Sequence, residues 1–386
     1  MSNTQEPQKK FKLHDSFHRQ EKERKKQRRF SLMGSGWGKG FVSEALFSKK
    51  MLHPYFWGAW LGAGCFYLLV VLLPYPVQMF LGRLLGRLIG AIKPSRRYVL
   101  KTNLKLAFPQ MSETERQVMM KRVLENSGVA VFETGIAWFW SDSRLLRHVK
   151  YDEKEIAEAR KLAAENKPTI VLTCHFVHLE IMARVYALLI KPGIGVYRPS
   201  EHPVWEYLQV KGRLRDNLAL VSSKDPRSML KAMMRKVPIW YAPDQDYGAK
   251  VSIFAPFFAV EKAATVTGTH DLARFKDTIV QPSWTMRDHG KYVLKVLPPL
   301  DNFPTEDVLA DTVRVNKILE QMIMSRPDQY LWLHRRFKTR PEGDPERYPA
   351  LSDKPTALKE KQIKKGGQYT ENTAKQANSS EDNKAE

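Results

Sequence analysis

The chain has 386 residues, enough for one large domain or two, and carries 63 Lys+Arg against 41 Asp+Glu, a formal charge of +22. That surplus favours polyanionic partners: anionic lipid headgroups, phosphorylated small molecules and nucleic acid all stay open. Two cysteines, Cys65 in an apolar run and Cys174 beside a histidine, argue against a disulfide framework and for a reducing compartment.

Residues 9–29 hold ten Lys/Arg and three Asp/Glu. Such a block predicts a solvated tail over 1–50, and an anionic membrane surface attracts it more readily than nucleic acid does. No signal peptide is expected, since the N-terminus opens polar. From Met51 to Gly82 there is no Asp, Glu, Lys or Arg. Tyr55 to Leu73 would rise roughly 28 Å as a helix, about one hydrocarbon core, with Tyr55, Phe56, Trp57 and Trp60 clustered where an interfacial belt would lie. The stretch 51–77 is therefore the expected membrane anchor, ended by Pro74 and Pro76.

Next comes "FLGRLLGRLIGAIK", with leucines and Ile92 at helical spacing and Gly82, Gly86 and Gly90 at every fourth position. The glycines allow close approach of another helix. Packing on the domain and lying on the membrane are both open for this segment. Residues 95–165 are helical by pattern, with a capping box at Ser112 and Glu115. From Pro168 short apolar strands such as "TIVLTC", "GIGVY" and "PIWYAP" alternate with helical stretches, which predicts an α/β domain. A folded unit over 78–349 and a polar, lysine-rich tail over 350–386 complete the expected organisation.

His175 and Glu180 stand where the strand "TIVLTC" hands over to a helix. Residues five apart on a helix point about 140° apart, so the two converge only if His175 precedes the helix and Glu180 lies in its early turns. A carboxylate that accepts one imidazole N–H leaves the other nitrogen free to take a proton, which suits an enzyme activating a hydroxyl. The spacing alone is weak, and a chance pair is the plainer explanation.

The motif "HFVHLE" resembles the H-x4-D/E motif of glycerolipid-type acyltransferases, in the Glu-bearing version of bacterial lipid A late acyltransferases. "NLKLAFPQMSETER" (103–116), "YRPSEHPVWEYL" (197–208), "WYAPDQDYG" (240–248), "FAVEKAATVTGT" (258–269) and "QYLWLHRRFKTRPEG" (329–343) resemble that family in the same order. "YRP" and "WLHRRFKTRP" are most similar to its lauroyl-type, Kdo-dependent branch. The resemblance implies a mixed β-sheet flanked by helices, an N-terminal membrane-anchoring helix, and an acyltransferase domain over 78–349. It implies transfer of an acyl chain from acyl carrier protein to the hydroxyl of a 3-hydroxyacyl chain on a Kdo-bearing lipid A precursor. His175 would be the general base, Glu180 its orienting carboxylate, and Cys174 a small buried residue without a chemical role. No cofactor or metal is implied, and the enzyme would work at the cytoplasmic face of a bacterial inner membrane.

Arg198 and Arg213 are candidates for stabilising an oxyanion or holding a phosphate, with structural ion pairs as the alternative. Asp244, Gln245 and Asp246 are candidate substrate contacts, or simply a turn after a strand. Arg335 and Arg336, in a basic cluster with Lys338 and Arg340, are candidates for an anionic headgroup, or a solvated face. His202 departs from the Asn that the family commonly has in "YRPNxNP", and His178 adds an imidazole inside the motif. Three rivals stay open: a glycosyltransferase using Asp244-x-Asp246 as a metal site, a zinc hydrolase using His175, His178 and Glu180, and a non-enzymatic membrane-tethered scaffold.

Overall fold

A computed structural model describes residues 37–351, Lys39 excepted. Of the expected tails, 1–50 and 350–386, residues 1–36 and 352–386 lie outside the described residues. In chain order the elements are β1 (Phe41–Val42), α1 (Trp57–Leu72), α2 (Tyr75–Ile92), α3 (Pro94–Ala107), α4 (Glu113–Phe139), α5 (Asp142–Leu146), β2 (Val149–Tyr151), α6 (Glu153–Ala164), β3 (Thr169–Leu172) and α7 (Leu179–Leu189). They continue with β4 (Ile194–Tyr197), α8 (Pro203–Arg213), β5 (Ala219–Ser222), α9 (Pro226–Met234), β6 (Ile239–Tyr241), β7 (Ser252–Phe257), β8 (Val260–Val266), α10 (Gly268–Ala273), β9 (Ile279–Asp288), β10 (Lys291–Val296) and α11 (Val308–Ser325).

Local chemistry sets many of these boundaries. Pro74 cannot continue α1, whereas Pro76 suits the first turn of α2, where its missing N–H is not needed. Ser112 accepts from the Glu115 N–H while the Glu115 carboxylate reaches back to the Ser112 N–H, so the expected capping box starts α4. Asp152, Asp225 and Asp307 cap α6, α9 and α11 by accepting from backbone N–H groups of the first turn, without the reciprocal bond.

The strands form an eight-stranded mixed sheet in the order β1-β5-β4-β6-β3-β9-β10-β2. From β5 to β9 every neighbouring pair is parallel; β1 runs antiparallel to β5 and β10 antiparallel to β9. Helices flank it: α7 packs against β9 and β10, and α9 against β5 and β6. The architecture is thus the expected α/β mixed sheet with helices around it. The end of the expected 1–50 tail belongs to this sheet, for Phe41 and Val42 pair with Val221 and Leu220. Their apolar side chains pack at the core margin with Trp37 and Ala45, and a two-residue strand is too short to signal itself in sequence.

One helix among the described residues, 54–72, is long and apolar enough by length and composition to cross a membrane. Yet it is tied to the domain at both ends. At the front, the Phe56 ring meets His202 edge-on at 5.4 Å and Trp60 meets Tyr207 at 6.0 Å. At the back, the last turn of α1 leaves carbonyls without helical donors. The Trp140 indole N–H donates to Val70 O at 2.9 Å, and Arg144 donates to Val71 O at 2.5 Å and Leu73 O at 3.1 Å. The Gln78 amide serves Val70 O and Leu73 O from α2. Arg144 also brings a cation to the negative end of the helix dipole.

α2 packs lengthwise on α4 through its glycines. A Cβ at Gly86 would stand 2.1 Å from Leu124 O, and one at Gly128 of α4 would stand 2.2 Å from both Gly82 O and Gly86 N. The opposite face of α2 exposes Val77, Phe80, Leu84, Leu88 and Ile92. The helix therefore packs on the domain by its glycine face and presents an apolar row outward. Around α4, the buried side chains Val70, Val129, Ile136 and Trp140 form one core with Ile181, Val185 and Leu294. Each large apolar side chain buried there contributes about 1.5–3 kcal/mol.

Candidate active site

β3 and β6 are adjacent and parallel, with Leu172 opposite Tyr241, so the segments leaving their carboxyl ends emerge side by side. Open parallel sheets place sites in this crevice. His175 leaves β3 and Asp244 leaves β6. Asp244 Oδ1 lies 2.7 Å from His175 Nδ1, and Asp244 Oδ2 accepts from the His175 backbone N–H at 2.9 Å. One carboxylate thus fixes both the ring and the main chain of His175. Asp244 is fully buried, and its side chain is screened from water while the His175 side chain keeps 23% of its surface exposed. Burial alone would push the Asp244 carboxyl up, but the His175 charge and hydrogen bonds outweigh that and hold it below its ordinary range. With Asp244 ionised, Nδ1 carries the proton and Nε2 is left as the basic nitrogen.

The loop after His175 is clamped from the other side by residues 329–331. Val177 N–H donates to Gln329 O at 2.9 Å, and Leu331 N–H donates to His175 O at 3.0 Å. Asn103 of α3 holds this strand-like segment through Trp332 O and His334 O, and Tyr348 Oη donates to the Asn103 side chain. Two blocks far apart in sequence, around Asn103 and around Trp332, therefore meet to brace the site.

Glu180 lies in the first turn of α7, as its spacing from His175 predicts. Its carboxylate, however, does not pair with His175. Oε1 accepts from Arg213 Nε at 2.8 Å and Arg213 Nη2 at 2.5 Å, and Oε2 accepts from the Trp138 indole N–H at 3.2 Å. The physical reason is competition: Arg213, at the end of α8, offers a charged fork, and Asp244 already occupies Nδ1. The orienting carboxylate that sequence assigns to Glu180 is, in the geometry, Asp244.

The remaining candidates divide. Arg198 is exposed just after β4, on the carboxyl-end rim of the sheet. Gln245 is half-buried between the two aspartates. Asp246 accepts from Thr339 N–H at 2.6 Å, Thr339 Oγ1–H at 2.8 Å and Gly248 N–H at 2.9 Å, so its carboxylate braces a loop. Its own N–H donates to His334 Nε2; burial pulls the His334 pKa down to about 4, against the opposing effect of Asp246, which keeps that acceptor neutral. Arg336 is only 1% exposed, donates to Ala264 O and to Thr265 Oγ1, and lies over the Phe257 ring. It presents no charge to a headgroup, and only half-buried Arg335 of that pair reaches solvent. His178 is buried with Nε2 at 3.0 Å from Thr285 O, and burial lowers its pKa. His178 thus turns away from His175, and the donors a zinc or D-x-D site would need are spent on separate hydrogen bonds. Among the described residues, no three His, Cys, Asp or Glu side chains group as metal ligands. Cys174 is buried, and burial pushes its thiol well above the usual range, so it is no thiolate at neutral pH.

A buried carboxylate thus holds one nitrogen of a partly exposed imidazole, an arrangement whose second nitrogen can accept a proton from a hydroxyl. The family model described as bacterial lipid A biosynthesis acyltransferase matches residues 44–339. The chain belongs to that family, and it is an acyltransferase of lipid A biosynthesis. It is 44% identical over 304 residues to the lipid A biosynthesis lauroyltransferase of Escherichia coli K12, covering 78% of this chain and 98% of that one. With the same coverage it is 39% identical to the lipid A biosynthesis palmitoleoyltransferase of that strain. It is 29% identical over 308 residues to the strain's lipid A biosynthesis myristoyltransferase, 78% of this chain and 93% of that one.

Proposed function

We propose that the enzyme moves a fatty acyl chain from an acyl carrier protein thioester to the hydroxyl of a 3-hydroxyacyl chain on a Kdo-bearing lipid A precursor. The His175–Asp244 pair carries this reading. His175 Nε2 takes the proton from the acceptor hydroxyl as its oxygen attacks the thioester carbonyl. The new C–O bond forms, the C–S bond breaks, and the imidazolium returns the proton to the departing thiolate. Asp244 stabilises the imidazolium and holds its tautomer; base assistance of this kind contributes about 10²–10⁴-fold. Glu180 holds Arg213 in place, and Arg198, exposed just after β4, is the cation proposed to meet a developing oxyanion or the donor protein.

The test is purified protein with acyl carrier protein thioester and the Kdo-bearing precursor, product read by mass spectrometry. One acyl addition is expected, and Cys174→Ala should retain it. Donor-only incubation followed by a denaturing quench should leave no acyl group on the protein. An acyl thioester recovered on Cys174 would replace base catalysis with a covalent route.

The placement proposed is the cytoplasmic face of a bacterial inner membrane, with anionic lipids as partners and α1 lying shallowly in the bilayer. Contacts at both ends of α1 support this, because a helix of about 24 Å held along the domain cannot leave it on one side of a membrane while crossing to the other. The apolar row of α2 adds a second lipid-facing surface. A cysteine at Ser16, in a Cys65→Ala, Cys174→Ala background, should resist a membrane-impermeant thiol reagent in intact spheroplasts. Efficient labelling there would mean that α1 crosses the membrane.

A further inference from the structure

Four segments distant in sequence meet in a cavity of about 560 Å³ between α2, α4, the β9–β10 turn and residues 326–329. Arg83 of α2, Arg122 of α4, Arg287 of β9 and Arg326 line it. Two of these are held: Arg287 by Glu133 and Asn126, and Arg326 by Asp288. Among the acidic lining groups, Glu125 is paired with Arg87 and Asp328 accepts from the Asn126 amide. Among the described residues, Arg83 and Arg122 have no carboxylate partner and face the same cavity from two helices. Two unpaired guanidinium groups in a concave polar pocket match a phosphate, which presents three acceptor oxygens to planar donor forks.

Three further observations say which phosphate. Arg83 sits on the helix whose neighbouring face exposes Phe80, Leu84 and Leu88, so the mouth of the cavity adjoins the lipid-facing row. Arg122 also lines an apolar groove of about 850 Å³ along Phe108, Met111, Val118 and Met119, one turn away on the same face of α4. A ligand with phosphate at Arg122 therefore has room for hydrocarbon beside it. Finally, Gln329 connects the pocket to the catalytic loop. Its side chain exchanges hydrogen bonds with Arg287 N–H and Arg287 O, while its own carbonyl holds Val177, two residues from His175.

We propose that this pocket receives a phosphate of the acceptor's glycolipid headgroup and so registers the acceptor chain against His175. It deepens the proposed function and rests on that reading's acceptor, with phosphate taken here as part of its headgroup. The test compares wild type with Arg83→Gln/Arg122→Gln on the purified precursor and on the same precursor after enzymatic removal of its phosphates. The double variant should raise KM for the phosphorylated lipid about tenfold or more, with kcat changed far less, and should match wild type on the dephosphorylated lipid. Equal KM values on the phosphorylated lipid would overturn the pocket while leaving the acyl-transfer reading intact. Should wild type acylate neither lipid, that reading falls instead. Micellar binding of the precursor then decides the pocket: about tenfold weaker binding by the variant supports it, and equal binding removes it. Flotation with phosphatidylglycerol vesicles separates the bilayer as a source. Weakened flotation with an unchanged KM would assign the arginines to bulk phospholipid and overturn the acceptor site.

Discussion

Asp244→Asn is expected to leave the protein folded and to lower acyl transfer by about 10²–10⁴-fold, nearly as far as His175→Ala. The amide keeps the size and the acceptor for the His175 backbone N–H, but it can donate to Nδ1. The proton then moves to Nε2, and the nitrogen facing substrate is no longer a base. Because one unit is being broken, the double variant should lose little beyond the worse single, as coupled groups are non-additive. Glu180 gives the contrast. Glu180→Gln should couple to Arg213→Gln, whose guanidinium it meets at 2.5 and 2.8 Å, and act independently of Asp244→Asn. Steady-state kinetics of the two double-mutant cycles check this. Strong coupling of His175 to Glu180, with none to Asp244, would restore the pairing that sequence spacing suggests.

Gly128→Leu should cost about 3 kcal/mol or more and detach α2 from α4. Any Cβ at Gly128 already meets backbone atoms of Gly82 and Gly86 at 2.2 Å, and backbone cannot rotate aside as a side chain can. Gly86→Leu should behave alike, since its Cβ would meet Leu124 O. Gly64→Ala is the control: nothing lies within 4 Å of a Cβ there, so only the gain in helix propensity of up to about 1 kcal/mol applies. Thermal melting in detergent would show the difference. Equal melting of Gly128→Leu and wild type would mean that the two helices are not packed through glycine.

Elements with a strong local signal were legible in the sequence. The apolar helix ends at its proline break, the capping box opens α4, and His175 lies in the turn before a helix whose first turn holds Glu180. What a side chain touches across the sheet was not. Asp244 is 69 residues from His175 and reaches it only because β6 is inserted next to β3, and strand order leaves no mark on either strand's own residues. Arg336 looked like part of a basic surface because charge patterning carries no information about a Phe257 ring and a β8 carbonyl waiting at tertiary distance. The arginines at 83, 122, 287 and 326 gave no motif, since four isolated residues acquire a common address only through folding.

The clamp by residues 329–339 has a consequence for the order of events in synthesis. The apolar helix α1 and the glycine-faced helices lie in the first third of the described chain, whereas Gln329, Leu331 and Thr339, which brace the His175 loop and Asp246, come near its end. Translation proceeds from the N-terminus, and long-range contacts wait for their second partner to emerge. The apolar helix α1 therefore emerges from the ribosome while the His175 loop is still unbraced. On the proposed placement and base chemistry, membrane arrival precedes catalytic competence, and a chain cut short before Gln329 would reach the bilayer with its His175 loop unbraced.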